Sequence, residues 1–129
     1  MSKVERFEDL KVWQMARELC KEIHKLTMKD TFSRDFKLVG QIIGSSGSIM
    51  DNIAEGFERD GNKEFIQFLS ISKGSCGETR SQLYRAIDNG YISQEEFDAA
   101  YERSAEASKM LKGFIIYLKD SELKGNKYK

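Results

Sequence analysis

Residues 36–57 read FKLVGQIIGSSGSIMDNIAEGF, and the spacing of the apolar side chains in this stretch decides the fold. Phe36, Val39, Ile42, Ile43, Ile49, Met50, Ile53, Ala54 and Phe57 recur every three or four residues, which places them along one stripe of an α-helix. The same period appears on either side. Upstream, Leu10, Trp13, Ala16, Leu19, Cys20, Ile23 and Leu26 mark a first helix from about Leu10 to Thr27. A polar connection from Met28 to Ser33 follows, with Ser33 the expected N-cap of the second helix. Downstream, Arg59-Asp-Gly-Asn62 reads as a turn, and Phe65, Phe68, Leu69, Ser72, Cys76, Thr79, Leu83, Ala86 and Ile87 trace a third helix. Asn89-Gly90 should stop it.

Ser93-Gln-Glu-Glu96 has the form of a capping box, in which hydroxyl and carboxylate satisfy each other's unpaired backbone donors, so a fourth helix starts there. Its acids come first (Glu95, Glu96, Asp98, Glu102, Glu106) and its bases later (Lys109, Lys112, Lys119), the order that suits a helix dipole. The fold class expected is all-α: an antiparallel up-down four-helix bundle. Residues 1–120 would form one domain, and 121–129 a polar tail that frays. Proline is absent from all 129 residues, as long uninterrupted helices require.

Lys and Arg number 21, as do Asp and Glu, so no global positive field exists to hold nucleic acid or an anionic membrane. Any such binding must come from a local patch. No apolar run is long enough to span a bilayer or direct secretion, so the cytoplasm is the expected location. Cys20 and Cys76 fall inside apolar helical patterns and are expected as buried free thiols.

A bundle of this kind could house a carboxylate-bridged metal pair, but that chemistry needs a Glu-x-x-His motif from each of two helices. His24 is the one histidine, with Lys21 three residues before it. Ser-His or Cys-His catalysis would rest on that same residue, and no phosphate-cradling glycine loop is present. No enzyme activity, cofactor or metal is expected.

Three residue sets stand out instead. Gly44 and Gly47 interrupt the second helix, and Gly74 and Gly77 the third, each at roughly 1 kcal/mol against Ala. In an antiparallel hairpin these patches lie opposite each other, so they are expected either to allow close packing of the two backbones or to face a common partner. Ser48, Asn52, Glu55 and Arg59 share one face of the second helix, with Ser75 and Glu78 across from them. They form either a polar network that fixes helix register or a contact surface for a ligand or RNA. Arg17, Lys21, Lys25 and Lys29 recur every four residues on the first helix, interleaved with Glu18 and Glu22. The choice there lies between a solvated face and an RNA-backbone track joined by Lys124, Lys127, Tyr128 and Lys129. Phe7, Trp13, Tyr84, Tyr91 and Tyr117 serve either the core or an interface between subunits.

The segment Ser48-Ile-Met-Asp-Asn-Ile-Ala-Glu-Gly-Phe-Glu-Arg59, with Gln41, Glu64-Phe65 and Lys73-Gly-Ser75, resembles the 23S rRNA intervening-sequence protein family. Phe7-Glu-Asp-Leu10, Val12-Trp13 and Ala16 resemble that family's opening, and the agreement covers nearly the whole chain. The resemblance implies a bacterial four-helix bundle that assembles into a homo-oligomeric ring, typically a pentamer, without an established activity. A more distant similarity is to the accessory variability protein of diversity-generating retroelements, which implies RNA or a nucleic-acid-processing protein as a partner. Where relatives carry basic residues after Gln41 this chain has Ile42, Ile43 and Gly44.

Overall fold

Two glycines with left-handed backbone set the principal turns. The computed structural model describes residues 4–127, with side chains as far as Ser121. After a 3-10 turn at Phe7–Asp9 come α1 (Lys11–Thr27), α2 (Asp30–Ser33), α3 (Phe36–Glu58), α4 (Asn62–Asp88) and α5 (Gln94–Lys127), and no strand occurs among the described residues. Gly61, at φ 102°, turns α3 into α4, a backbone conformation that other L-residues enter only at a cost. Gly90, at φ 73°, ends α4. There the Gly90 N–H donates to the Ile87 carbonyl and the Tyr91 N–H to that of Ala86, both at 2.9 Å, the pair of bonds that defines a Schellman stop. The capping box forms as its sequence implies: Ser93 Oγ accepts from the Glu96 N–H at 3.1 Å, and Glu96 Oε1 accepts from the Ser93 N–H at 2.9 Å.

The connection before α3 differs from its sequence expectation. The residues between Met28 and Ser33 contain a one-turn helix whose Phe32 is wholly buried and stacks on Tyr91 at 5.3 Å. Ser33 therefore ends a turn, its hydroxyl donating to the Asp30 carbonyl. Asp35 caps α3 in its place, accepting from the Leu38 N–H at 3.0 Å and from the Tyr91 hydroxyl at 2.9 Å. At the other end α5 runs on through Lys127, where a polar tail was expected from residue 121. Polarity alone does not end a helix, and no proline intervenes.

α3 packs on α4, α4 on α5, and α1 on both α3 and α5, which makes a helical bundle. Ser45 meets Thr79 and Gln82, Ser48 meets Ser75, and Ser72 donates to the Ile49 carbonyl, so numbers fall along α4 as they rise along α3. Ile42, Ile49, Ile53, Leu69, Leu83 and Leu111 are fully buried between these helices, each contributing about 1.5–3 kcal/mol.

The inward line of α3 is rotated from the one its apolar residues suggest. Leu38, Ile42, Ser45, Ser46, Ile49, Ile53 and Gly56 face the core, while Phe36 is 84% exposed and Ile43 38%. Small side chains take the inward places because α3 and α4 come close there. A Cβ added to Gly56 would lie 2.6 Å from Phe68 Cβ and 2.9 Å from Phe65 Cδ1.

Candidate functional site

The α3–α4 seam gathers most of the polar residues singled out in the sequence. Asn52 Nδ2 donates to Ser48 Oγ at 2.8 Å, and Ser75 Oγ donates to the same oxygen at 3.0 Å. One turn along, Ser45 Oγ donates to Gln82 Oε1 at 2.6 Å and lies 2.8 Å from Thr79 Oγ1. Gln82 Nε2 reaches the exposed Glu78 at 3.4 Å. Glu55 and Arg59 stand apart: Arg59 bonds Glu55 at 2.8 Å and lies over the Phe68 ring, outside the serine cluster. Among the described residues no buried side-chain nitrogen or oxygen lacks a partner. A seam so completely paired fixes register, since a one-turn slip would strand buried hydroxyls at about 1–3 kcal/mol each.

The glycines do not line this seam. A Cβ at Gly44, Gly47 or Gly74 would meet nothing within 4 Å, and one at Gly77 only Arg80 Nη2 at 3.8 Å. Close packing of the two backbones at these positions is therefore corrected. The serines beside the glycines face inward, which turns the glycines outward, and the close approach falls at Gly56. The outward face of α3 carries Phe36, Gly40, Ile43, Gly44 and Gly47, and no charged residue occurs from Leu38 to Met50. In a chain that is 33% charged, that is an unusual face to expose.

The basic ridge on α1 survives in part. Arg17 lies over the Trp13 ring at 5.8 Å, and Lys21 pairs with Glu18 at 3.2 Å. Lys29 leaves the ridge to bond Glu96 at 2.6 Å, which ties the end of α1 to the cap of α5. Arg103 of α5, which periodicity could not place here, joins in its stead and bonds Glu22 at 2.8 Å. Arg17, Lys21, Lys25 and Arg103 border a broad groove of about 770 Å³. The side chains of Lys124, Lys127, Tyr128 and Lys129 lie outside the described residues.

Both cysteines are free; Cys76 is buried, and burial pushes its thiol up to about 11, while Cys20 is half-buried. Among the described residues no three His, Cys, Asp or Glu side chains cluster as metal ligands, and no helix is long and apolar enough to cross a membrane. Of the candidate aromatics, Phe7 packs edge-on to Trp13 and Tyr91 sits against Phe32, whereas Tyr84 and Tyr117 are more than half exposed.

Residues 8–113 match the model of the 23S rRNA-intervening sequence protein family. The chain is also similar to a crystal structure of a protein of unknown function from the S23 ribosomal protein family of Bacteroides thetaiotaomicron. Identity is 27%, the TM-score is 0.74, and the match covers 81% of this chain and 97% of that one. No curated protein matches.

Proposed function

The chain belongs to the 23S rRNA-intervening sequence protein family, and from that premise we propose that it is a non-catalytic, self-assembling scaffold or adaptor. Its four long helices form an antiparallel up-down bundle, and copies assemble through the outward face of α3 into a ring, a pentamer by family resemblance. The carrying observation is that face: exposed, free of charge for 13 residues, and interrupted by glycines for which no neighbour in the chain gives a reason. A solvated helix would gain about 1 kcal/mol from Ala at each such place, whereas a helix that another backbone approaches needs the space.

Light scattering after size-exclusion chromatography tests the proposal. The wild type should run at a multiple of 14.8 kDa, and Ile43→Lys, a change at an exposed position, should fall to one chain while keeping its helical spectrum. A monomeric wild type at micromolar concentration overturns self-assembly.

The partner in this reading is RNA or a nucleic-acid-processing protein, supported by the family's name and by the cationic border of the α1 groove. The distant likeness to the retroelement accessory protein would make that partner a reverse transcriptase with its RNA. A ring would repeat the groove and raise avidity from weak single contacts. Binding of single-stranded RNA that weakens steeply with salt, and that Lys21→Glu with Lys25→Glu removes, supports this reading. Absence of such binding leaves a purely protein-interacting oligomer, the reading favoured by the zero net charge.

A further inference from the structure

The outward face of α3 has a counterpart of opposite shape near the end of α5, where residues 113–118 read GFIIYL. Gly113, Ile116 and Tyr117, three and four residues apart, share one side of that helix. Gly113 is exposed and a Cβ there would meet nothing within 4 Å, while Ile116 is 51% exposed and Tyr117 58%. α1 does not reach them. Glu22 bonds Arg103 and Lys29 bonds Glu96, so numbers fall along α5 as they rise along α1. Lys11, the first residue of α1, therefore comes level with about Phe114, and Ile116 and Tyr117 lie past that point. The exposed apolar side chains of α4 form no such patch: Tyr84 packs on Phe97 and Tyr101, and Ile71 shares its side of the helix with Glu78.

Shape and charge both match the α5 patch to α3. Gly40, Gly44 and Gly47 leave a trough along α3, with no charged residue from Leu38 to Met50. On α5 two large side chains project from a run that is free of charge from Gly113 to Leu118. Six helical residues span about 9 Å, enough to lie over Gly44 and Gly47 while staying clear of Lys37. The edges there carry opposite signs. Asp51 closes the α3 stretch and Lys112 opens the α5 one; both are exposed, and neither is in an ion pair among the described residues.

We infer that Ile116 and Tyr117 of one copy seat over Gly44 and Gly47 of the next, with Lys112 beside Asp51. The inference rests on the self-assembly proposed above and names the other half of its contact. A ring of more than two copies closes head to tail, so each chain presents two different faces: α3 supplies the socket and α5 the plug. Two α3 faces meeting each other would instead make an isologous pair and stop at two chains.

Mixing two variants that each lack one face tests the contact, by light scattering of each alone and of the equimolar mixture, with folding confirmed by circular dichroism. Ile43→Lys loses the socket and keeps the plug, whereas Ile116→Lys with Tyr117→Lys loses the plug and keeps the socket. Each alone should be a single chain. The mixture should form a dimer at twice 14.8 kDa and nothing larger, because one live face remains on each partner. Ring closure no longer helps such a dimer, so the mixture is measured at the highest soluble concentration. Ile116→Lys alone, which spares the packing of Tyr117 on Phe114, replaces the double variant if that fails to fold. An assembled wild type whose plug variant keeps the same mass overturns this contact and leaves self-assembly standing, as does a mixture that stays monomeric. A monomeric wild type overturns both.

Discussion

The two sides of α3 use small residues for opposite reasons. On the inner side, Ser45, Ser46 and Gly56 are small because α4 leaves no room, and Gly56 lies where even a methyl group would overlap Phe68. On the outer side, Gly40, Gly44 and Gly47 are small although nothing in the chain stands within reach of a Cβ. Inner small residues are explained by this chain alone, whereas the outer ones call for something beyond it. Substitution on each side should therefore have opposite consequences for the stability of one chain.

The largest effect should come from Gly56→Val. The added atoms meet Phe68 Cβ and the Phe65 ring, neither of which can swing away as the tip of a long side chain would. Overpacking of this kind costs about 1–3 kcal/mol, occasionally more, and the urea midpoint should fall accordingly. A midpoint at the wild-type value would erase the contrast at its strongest point. Next comes Ser45→Ala, which leaves Gln82 Oε1 without its 2.6 Å donor inside a buried seam. The expected loss is about 1–3 kcal/mol. Gln82→Leu in the same background should recover part of it, because removing both partners is cheaper than orphaning one.

How much of this could be read from the residues follows from range. The helical character of all four long segments, the glycine stop at Gly90 and the Ser93–Glu96 cap are local devices, each complete within a few residues, and each was legible. The inward line of α3 was not. Hydropathy ranks Phe36 and Ile43 above Ser45 and Ser46, yet the distance to α4 favours small side chains that pair their own hydroxyls. A signal did exist: Ser45, Ser46 and Gly56 continue the three- and four-residue spacing of Ile42, Ile49 and Ile53. Arg103 in the α1 groove and Tyr91 on the Asp35 cap left no such trace, because each meets a partner more than fifty residues away. The Ser48–Asn52–Ser75 cluster was legible as a face, though its separation from Glu55 and Arg59 was not.

The outer glycines give a smaller effect of opposite sign. Gly44→Ala and Gly47→Ala each add a methyl group to open space and remove the entropic penalty of glycine, so the isolated chain should gain about 1 kcal/mol per site. If the outer face packs against another copy, the same methyl groups should lower the oligomer's mass or raise the concentration at which it dissociates. Chemical denaturation of an Ile43→Lys background reads the first effect without the second, and a loss of stability in that background would mean that the outer face has an occupant within the chain.

Acid should separate both faces from the ends that hold them, with the smallest effect. The Asp35 carboxyl is held below its ordinary 3.8, first by the Leu38 N–H and then by the Tyr91 hydroxyl. The Lys29 ammonium, followed by the Ser93 N–H, holds Glu96 below its ordinary 4.5. A carboxylate favoured in the folded chain stabilises fully above its unfolded pKa, and that contribution fades as pH falls through the lower folded value. Thermal melts from about pH 6 down to about pH 3 should therefore show a falling midpoint, and Asp35→Asn with Glu96→Gln should flatten the slope. The inner seam is built from hydroxyls and two amides, with Glu78 only at its exposed edge. Ser45→Ala should thus lower the whole curve without changing its slope, and a changed slope would mean that the seam and the caps are not independent.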